Sequence, residues 1–135
     1  MALILDTSAL VVLERALETA TEPRLPDEDI ALPAIVWAEA LIGVRLADSV
    51  KRAARRRARL EALRSQLEVV PFTAIVAEHY ADIYAELAAD GTPIPQNDMA
   101  VAATARSLGF GVLIGANDEA HFRCVPGLRV DVLYS

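Results

Sequence analysis

Short apolar runs alternate with longer helix-forming segments along this chain, and that alternation restricts the fold more than any other feature. Residues 2–5, 30–32, 68–72, 111–114 and 128–133 read as strands: short, rich in Leu, Ile and Val, and bounded by loop residues. Between them the spacing predicts helices over 9–20, 34–47, 49–66, 74–89 and 98–108. Asp6, Thr7 and Ser8 can cap the first helix, Pro33 stands where the second can begin, and Asn97 is a good cap for the last. Gly91 and Gly109 are the stop signals after the fourth and fifth. The proline-containing stretches 21–29 and 92–96 are loops. Strand–helix alternation implies βαβ units, hence an α/β fold: a three-layer α/β/α domain around a central, mainly parallel sheet of about five strands. Ligands in such sheets bind beyond the carboxyl ends of the strands.

The chain's 135 residues suffice for a single domain, 1–135, with a sizeable core. Hydrophobic residues make up 54%, which excludes an intrinsically disordered chain. No apolar run approaches the ~18 residues that a spanning helix needs, and the amino terminus lacks the basic start of a secretory signal. One cysteine, Cys124, excludes an intrachain disulfide and a multi-cysteine zinc site; it reads as a small packing residue or a surface thiol. The expectation is a cytoplasmic protein with no membrane association.

Charge is unevenly placed. Residues 51–64 (KRAARRRARLEALR) hold seven of the thirteen basic residues and one acid, a net +6, so the remaining 121 residues carry −12. An acidic body with one basic helix points to a local anionic partner. Within that helix Leu60, Leu63 and Leu67 form one stripe and Arg52, Arg55 and Arg59 another. A run such as Arg55–Arg56–Arg57 is most often a solvated face; the contrast with the acidic remainder is what singles it out.

Three carboxylates stand alone in apolar surroundings. Asp6 is the one charge in residues 1–13, Glu39 in 30–44 and Asp98 in 91–105. An unpaired buried carboxylate costs several kcal/mol, roughly, so each needs a partner or a cation, and no Lys or Arg lies nearby in sequence. Asp6 and Asp98 also suit helix starts, where the dipole favours acids. Glu39 is mid-helix and cannot cap. Asp118, flanked by Asn117 and Glu119, is a fourth candidate just past the strand at 111–114. Neither histidine has a second histidine at metal-ligand spacing: His121 reads as a loop residue packing near Phe122, His79 as a boundary residue, and Trp37 and Tyr80 as core or boundary aromatics. Oxygen ligands alone suit Mg²⁺ or Mn²⁺ better than zinc.

These residues resemble the PIN-domain ribonucleases, and within them the VapC-like toxins of type II toxin–antitoxin pairs. The resemblance covers nearly the whole chain. It opens with Leu-Asp-Thr-Ser-Ala-Leu at 5–10, continues with Trp-Ala-Glu-Ala-Leu-Ile-Gly at 37–43 and Ile-Pro-Gln-Asn-Asp-Met-Ala-Val-Ala-Ala-Thr-Ala at 94–105, and ends with Asn-Asp-Glu-Ala-His-Phe at 117–122 followed by Val-Pro-Gly-Leu-Arg-Val. It implies a PIN-like fold and a metal-dependent endoribonuclease. Asp6, Glu39, Asp98 and Asp118 would be the catalytic and metal-holding carboxylates for Mg²⁺ or Mn²⁺, with Thr7, Ser8 and Asn117 supporting them. A water activated by the metal would attack the scissile phosphate of RNA. The resemblance further implies a VapB-like antitoxin and a homodimer. The chain departs from the family at Gly115, where the family usually has Thr, and the fourth acidic position falls on Asn117 or Asp118. Arg52, Arg55, Arg56 and Arg59 are candidates for RNA phosphate contacts that offset the acidic body.

Three rivals differ in class. A catalytically silent PIN-like binding module is conceivable because of Gly115 and Asn117. A phosphorelay receiver needs a lysine after a late strand, and the one lysine here, Lys51, is in the basic helix. An aspartyl-phosphate phosphatase would want a second Asp two residues after Asp6, where Ser8 stands.

Overall fold

The computed structural model describes residues 2–116 and 119–134. Among the described residues five strands and six helices follow one another, with two helices between β2 and β3 and between β3 and β4: β1 (Ala2–Leu5), α1 (Thr7–Glu18), β2 (Asp29–Pro33), α2 (Ala34–Arg45), α3 (Val50–Arg64), β3 (Glu68–Val70), α4 (Ala74–Asp90), α5 (Gln96–Leu108), β4 (Gly111–Gly115), α6 (Glu119–Arg123) and β5 (Val130–Leu133). All pairings are parallel, in the order β3-β2-β1-β4-β5. The expected α/β architecture with a mainly parallel five-stranded sheet is the one observed, and the sheet is parallel throughout.

Central strands of a parallel sheet are covered on both faces, so they read as unbroken apolar runs. β1 (Ala-Leu-Ile-Leu) and β4 (Gly-Val-Leu-Ile-Gly) are buried at every position. Leu3 faces Gly111, Ile4 faces Val112 and Leu5 faces Leu113 across the pair. Helices close the two faces: Leu10 and Leu13 of α1, Leu60 of α3, Ile83 and Leu87 of α4 and Val101 to Ala103 of α5 all enter the core. α3 ends at Arg64, short of the expected 66; of the leucine stripe, Leu60 is fully buried and Leu63 packs against the core from α3, while Leu67 packs against it from beyond the helix end. Trp37, Tyr80 and Cys124 are partly buried against the same core.

Several boundaries move for identifiable reasons. α1 starts at Thr7 instead of Ala9, because Asp6 is itself the N-cap and accepts from the Ala9 N–H at 2.9 Å. α5 starts at Gln96, with Pro95 as its cap residue and no side-chain cap; Asn97 therefore lies inside the first turn and is not the N-cap. Proline fixes φ near −65° and donates no N–H, so it sets the helix start by itself. β3 stops at Val70, before Pro71, which cannot donate to a ladder. Gly91 and Gly109 cap α4 and α5 in the left-handed region, at φ 68° and 69°, where a side chain would be strained. α6 was not expected: 117–122 reads as loop, whereas Glu119–Arg123 is a helical turn anchored by the fully buried Phe122. Among the described residues no helix is long and apolar enough to cross a membrane.

The chain order β1, β2, β3 runs to one edge of the sheet, and β4 then returns to the far side of β1. The order therefore reverses between β1 and β4. At such a switch point the connections leave in opposite directions and open a crevice at the carboxyl ends of the two strands.

Candidate active site at the sheet's switch point

Asp6 follows β1 directly and Gly115 ends β4, so both stand at that crevice. α2, α5 and α6 bring their amino-terminal turns to the same edge, since a crossover helix runs antiparallel to the strands it joins. This places Glu39, in the second turn of α2, Asp98, in the first turn of α5, and His121 of α6 around the carboxyl edge.

Hydroxyl groups tie the first two carboxylates to their surroundings. Thr7 Oγ1 donates to Glu39 Oε1 at 2.9 Å, joining the start of α1 to α2. Ser8 Oγ lies 2.8 Å from both oxygens of Asp6 and accepts the Gly115 N–H at 2.8 Å. One hydroxyl thus accepts from the N–H that ends β4 and donates to the carboxylate after β1, locking the two central strands together at the crevice. Asp6 is 2% exposed. Gly115 has a positional reason: a Cβ there would stand 3.1 Å from Ser8 Cβ and from the Ser8 carbonyl oxygen. The departure at this position is a close approach of β4 to α1.

Asp98 is reached from the other side. Its Oδ2 lies 2.8 Å from His121 Nδ1, with the two side chains 23% and 46% exposed. His121 is therefore not the loop residue expected beside Phe122; it sits on α6, beside a candidate ligand. The sequence held one usable signal: Asn-Asp ahead of Glu-Ala-His-Phe has the form of a helix start. Asn117 and Asp118, the alternatives for the fourth acidic position, lie outside the described residues.

Among the described residues no three His, Cys, Asp or Glu side chains come close enough together to hold a metal ion by themselves. The donors fit Mg²⁺ or Mn²⁺ in kind, being carboxylate and hydroxyl oxygens. Mg²⁺ keeps several waters and is commonly held by one or two carboxylates plus substrate phosphate, so a full protein cage is not required.

The arginines of α3 form a separate feature. Arg52, Arg55, Arg56 and Arg59 line a 680 Å³ groove against Gly43 of α2 and Glu18 of α1. Three of them have acidic partners: Arg52 with Asp48 at 2.9 Å, Arg56 with Glu14 at 3.2 Å and Arg59 with Glu18 at 2.8 Å. No ion pair of Arg55 is found among the described residues, and its side chain is exposed. Gly43 is one turn beyond Glu39, and Glu14 two turns beyond Thr7. The arginine groove thus continues the α1–α2 cleft roughly 6–10 Å past the Thr7–Glu39 contact. Arg57 and Arg64 flank Trp37 instead, at 5.8 and 5.6 Å from its ring centre.

Residues 3–127 match the PIN domain family. Ribonuclease VapC1 of Rickettsia felis is 30% identical over 131 residues, covering 96% of this chain and 95% of that protein. Among solved structures, VapBC-5 of Mycobacterium tuberculosis, a member of the VapBC family of toxin–antitoxin systems, superposes with a TM-score of 0.75 and 28% identity over 99% of this chain and 98% of its own. VapBC2 of Rickettsia felis, bound to a DNA fragment from its promoter, shares the fold with a TM-score of 0.80, at 24% identity over 98% of both chains.

Proposed function

The chain belongs to the PIN domain family, and on that premise we propose that it is a Mg²⁺- or Mn²⁺-dependent endoribonuclease, the toxin of a toxin–antitoxin pair. The observation that carries this reading is the hydroxyl network at the switch point. Buried Asp6 and the neighbouring Glu39 are each held by a serine or threonine hydroxyl at the carboxyl edge of the sheet. The ribonuclease name of the Rickettsia relative supports the activity, and the toxin–antitoxin complex from Mycobacterium supports a VapB-like antitoxin as partner. Residues 1–135 act as one PIN-like unit, which works in the cytoplasm as a homodimer.

Asp6, Glu39, Asp98 and Asp118 are the residues that would hold the cation. When bound, the cation supplies activation of a water as nucleophile and stabilisation of charge on the phosphoryl and leaving oxygens. Ser8 and Thr7 keep their carboxylates in fixed rotamers before substrate arrives, so little reorganisation accompanies the reaction. Asn117 supports the fourth position. Arg52, Arg55, Arg56 and Arg59 serve the RNA backbone; Arg55, which has no ion pair among the described residues, makes the strongest phosphate contact of the four. The catalytically silent alternative drew on Gly115, which the Ser8 contact now accounts for on packing grounds.

Purified, antitoxin-free protein mixed with total cellular RNA tests the proposal, with Mg²⁺, with Mn²⁺ and with chelator, beside the Asp98→Asn variant. Discrete fragments that require the cation and vanish in the variant are expected. A folded protein that yields none under either cation, or fragments that persist in Asp98→Asn, would overturn the assignment.

A further inference from the structure

We propose that His121 is a positioning residue for Asp98, fixing the rotation of that carboxylate so that it meets a divalent cation in one orientation. This deepens the metal-site reading above and rests on it. A carboxylate turns easily about its Cβ–Cγ bond, where the torsion is broad. A hydrogen bond to one named oxygen removes that freedom. His121 Nδ1 is 2.8 Å from Asp98 Oδ2, and an ionised carboxylate only accepts, so Nδ1 is the donor.

The ring can do this because its own position is determined. α6 is a single turn, yet Phe122 next to His121 is fully buried, and Arg123 closes the turn onto Glu119. The contact also joins two elements, α5 and α6, through residues that lie 23 positions apart in sequence. Outer contacts of this kind orient the ligands of a metal, and removing one typically lowers metal affinity or activity about 10- to 100-fold. Half-exposed and unneeded by the core, the ring's placement is explained by the carboxylate it holds.

Mn²⁺ binding followed by electron paramagnetic resonance at a single pH separates the possibilities. The variants are Asp98→Asn, His121→Leu and His121→Asn; Leu and Asn are close in size, but only Asn offers a donor where Nδ1 stood. Melting of the metal-free proteins is recorded alongside. Expected are a roughly 10-fold weaker Mn²⁺ affinity in His121→Leu, near-native affinity in His121→Asn, and matching melting temperatures for the two. Wild-type spectra should lack a directly bonded nitrogen coupling. Equal affinities in Leu and Asn would overturn the proposal, leaving the contact as a link between helices. A nitrogen coupling lost in both variants would also overturn it, making His121 a ligand. A wild type that binds no Mn²⁺, or Asp98→Asn that binds as well as wild type, would remove the metal-site reading and this inference with it.

Discussion

Alanine at Gly43 should reverse its effect on stability according to what stands at position 14, forty-two residues from Arg56. Gly43 lies in α2, and a Cβ built there falls on the guanidinium of Arg56, within 3.0 Å of Cζ and closer still to Nη1. That guanidinium bonds Glu14, whose side chain is 8% exposed against 28% for Arg56. The far end of an arginine can swing away cheaply, but doing so strips Glu14 of both its bonds, at 3.2 and 3.3 Å. Leaving a buried polar group unmet costs about 1–3 kcal/mol, more for a charge. Breaking a fully buried pair costs roughly 3–5 kcal/mol, a range that the partly exposed arginine keeps this pair below. Against this, glycine to alanine inside a helix gains about 1 kcal/mol. Gly43→Ala alone should therefore lose about 1–2 kcal/mol, a fall of several degrees in Tm. In a Glu14→Met background no buried acid is left to strand. The same substitution should there be neutral or stabilising by up to about 1 kcal/mol. Urea denaturation of the four proteins in the cycle gives the coupling directly. Equal losses in both backgrounds would refute the reasoning, since the obstacle would then be steric and not the ion pair.

Ser8→Ala orphans the Gly115 N–H and removes a donor from Asp6, so chemical denaturation should show a loss of about 1–2 kcal/mol; a loss under ~0.5 would mean that water replaces the hydroxyl. Arg106 hydrogen-bonds Glu86 and holds its carboxyl below the ordinary 4.5. A depressed folded value stabilises above the unfolded pKa, and the benefit fades as pH falls through the folded one. Arg106→Met should thus cost less than ~1 kcal/mol at pH 7, as for a pair about a third exposed, and nothing near pH 2; a loss that persists in acid would point to packing of the arginine stem instead. Arg55→Gln should weaken RNA binding and reduce the salt slope by about 0.7, the value of one single-stranded phosphate contact, without shifting the melting temperature. An unchanged slope would take Arg55 out of the RNA track.

What could be read before folding divides along the range of the interactions. β1 is legible at its full length because a central parallel strand is apolar at every position, and Ala-Leu-Ile-Leu ahead of Asp6 admits no other element. α3 is legible because Leu60, Leu63 and Leu67 recur at helical spacing and its arginines lie on another face. α6 is not: five residues are too few for a period to show, and what makes it a helix is the burial of Phe122 under β4 and β5. Site residues divide in the same way. Asp6, Glu39 and Asp98 stand out because each is a lone charge in apolar sequence, a local property. Which groups hold them is a property of the assembled sheet. The Ser8–Gly115 bond joins positions 107 apart, Thr7–Glu39 joins positions 32 apart, and both arise only once β4 lies beside β1 and α2 packs on α1. The same holds for the basic helix, whose seven cations are plain in the sequence. Three of the four arginines facing the α1–α2 groove prove to be paired with Asp48, Glu14 and Glu18. Two of those acids lie on α1, so only the packing of α3 against it shows that Arg55 alone of the four has no ion pair among the described residues.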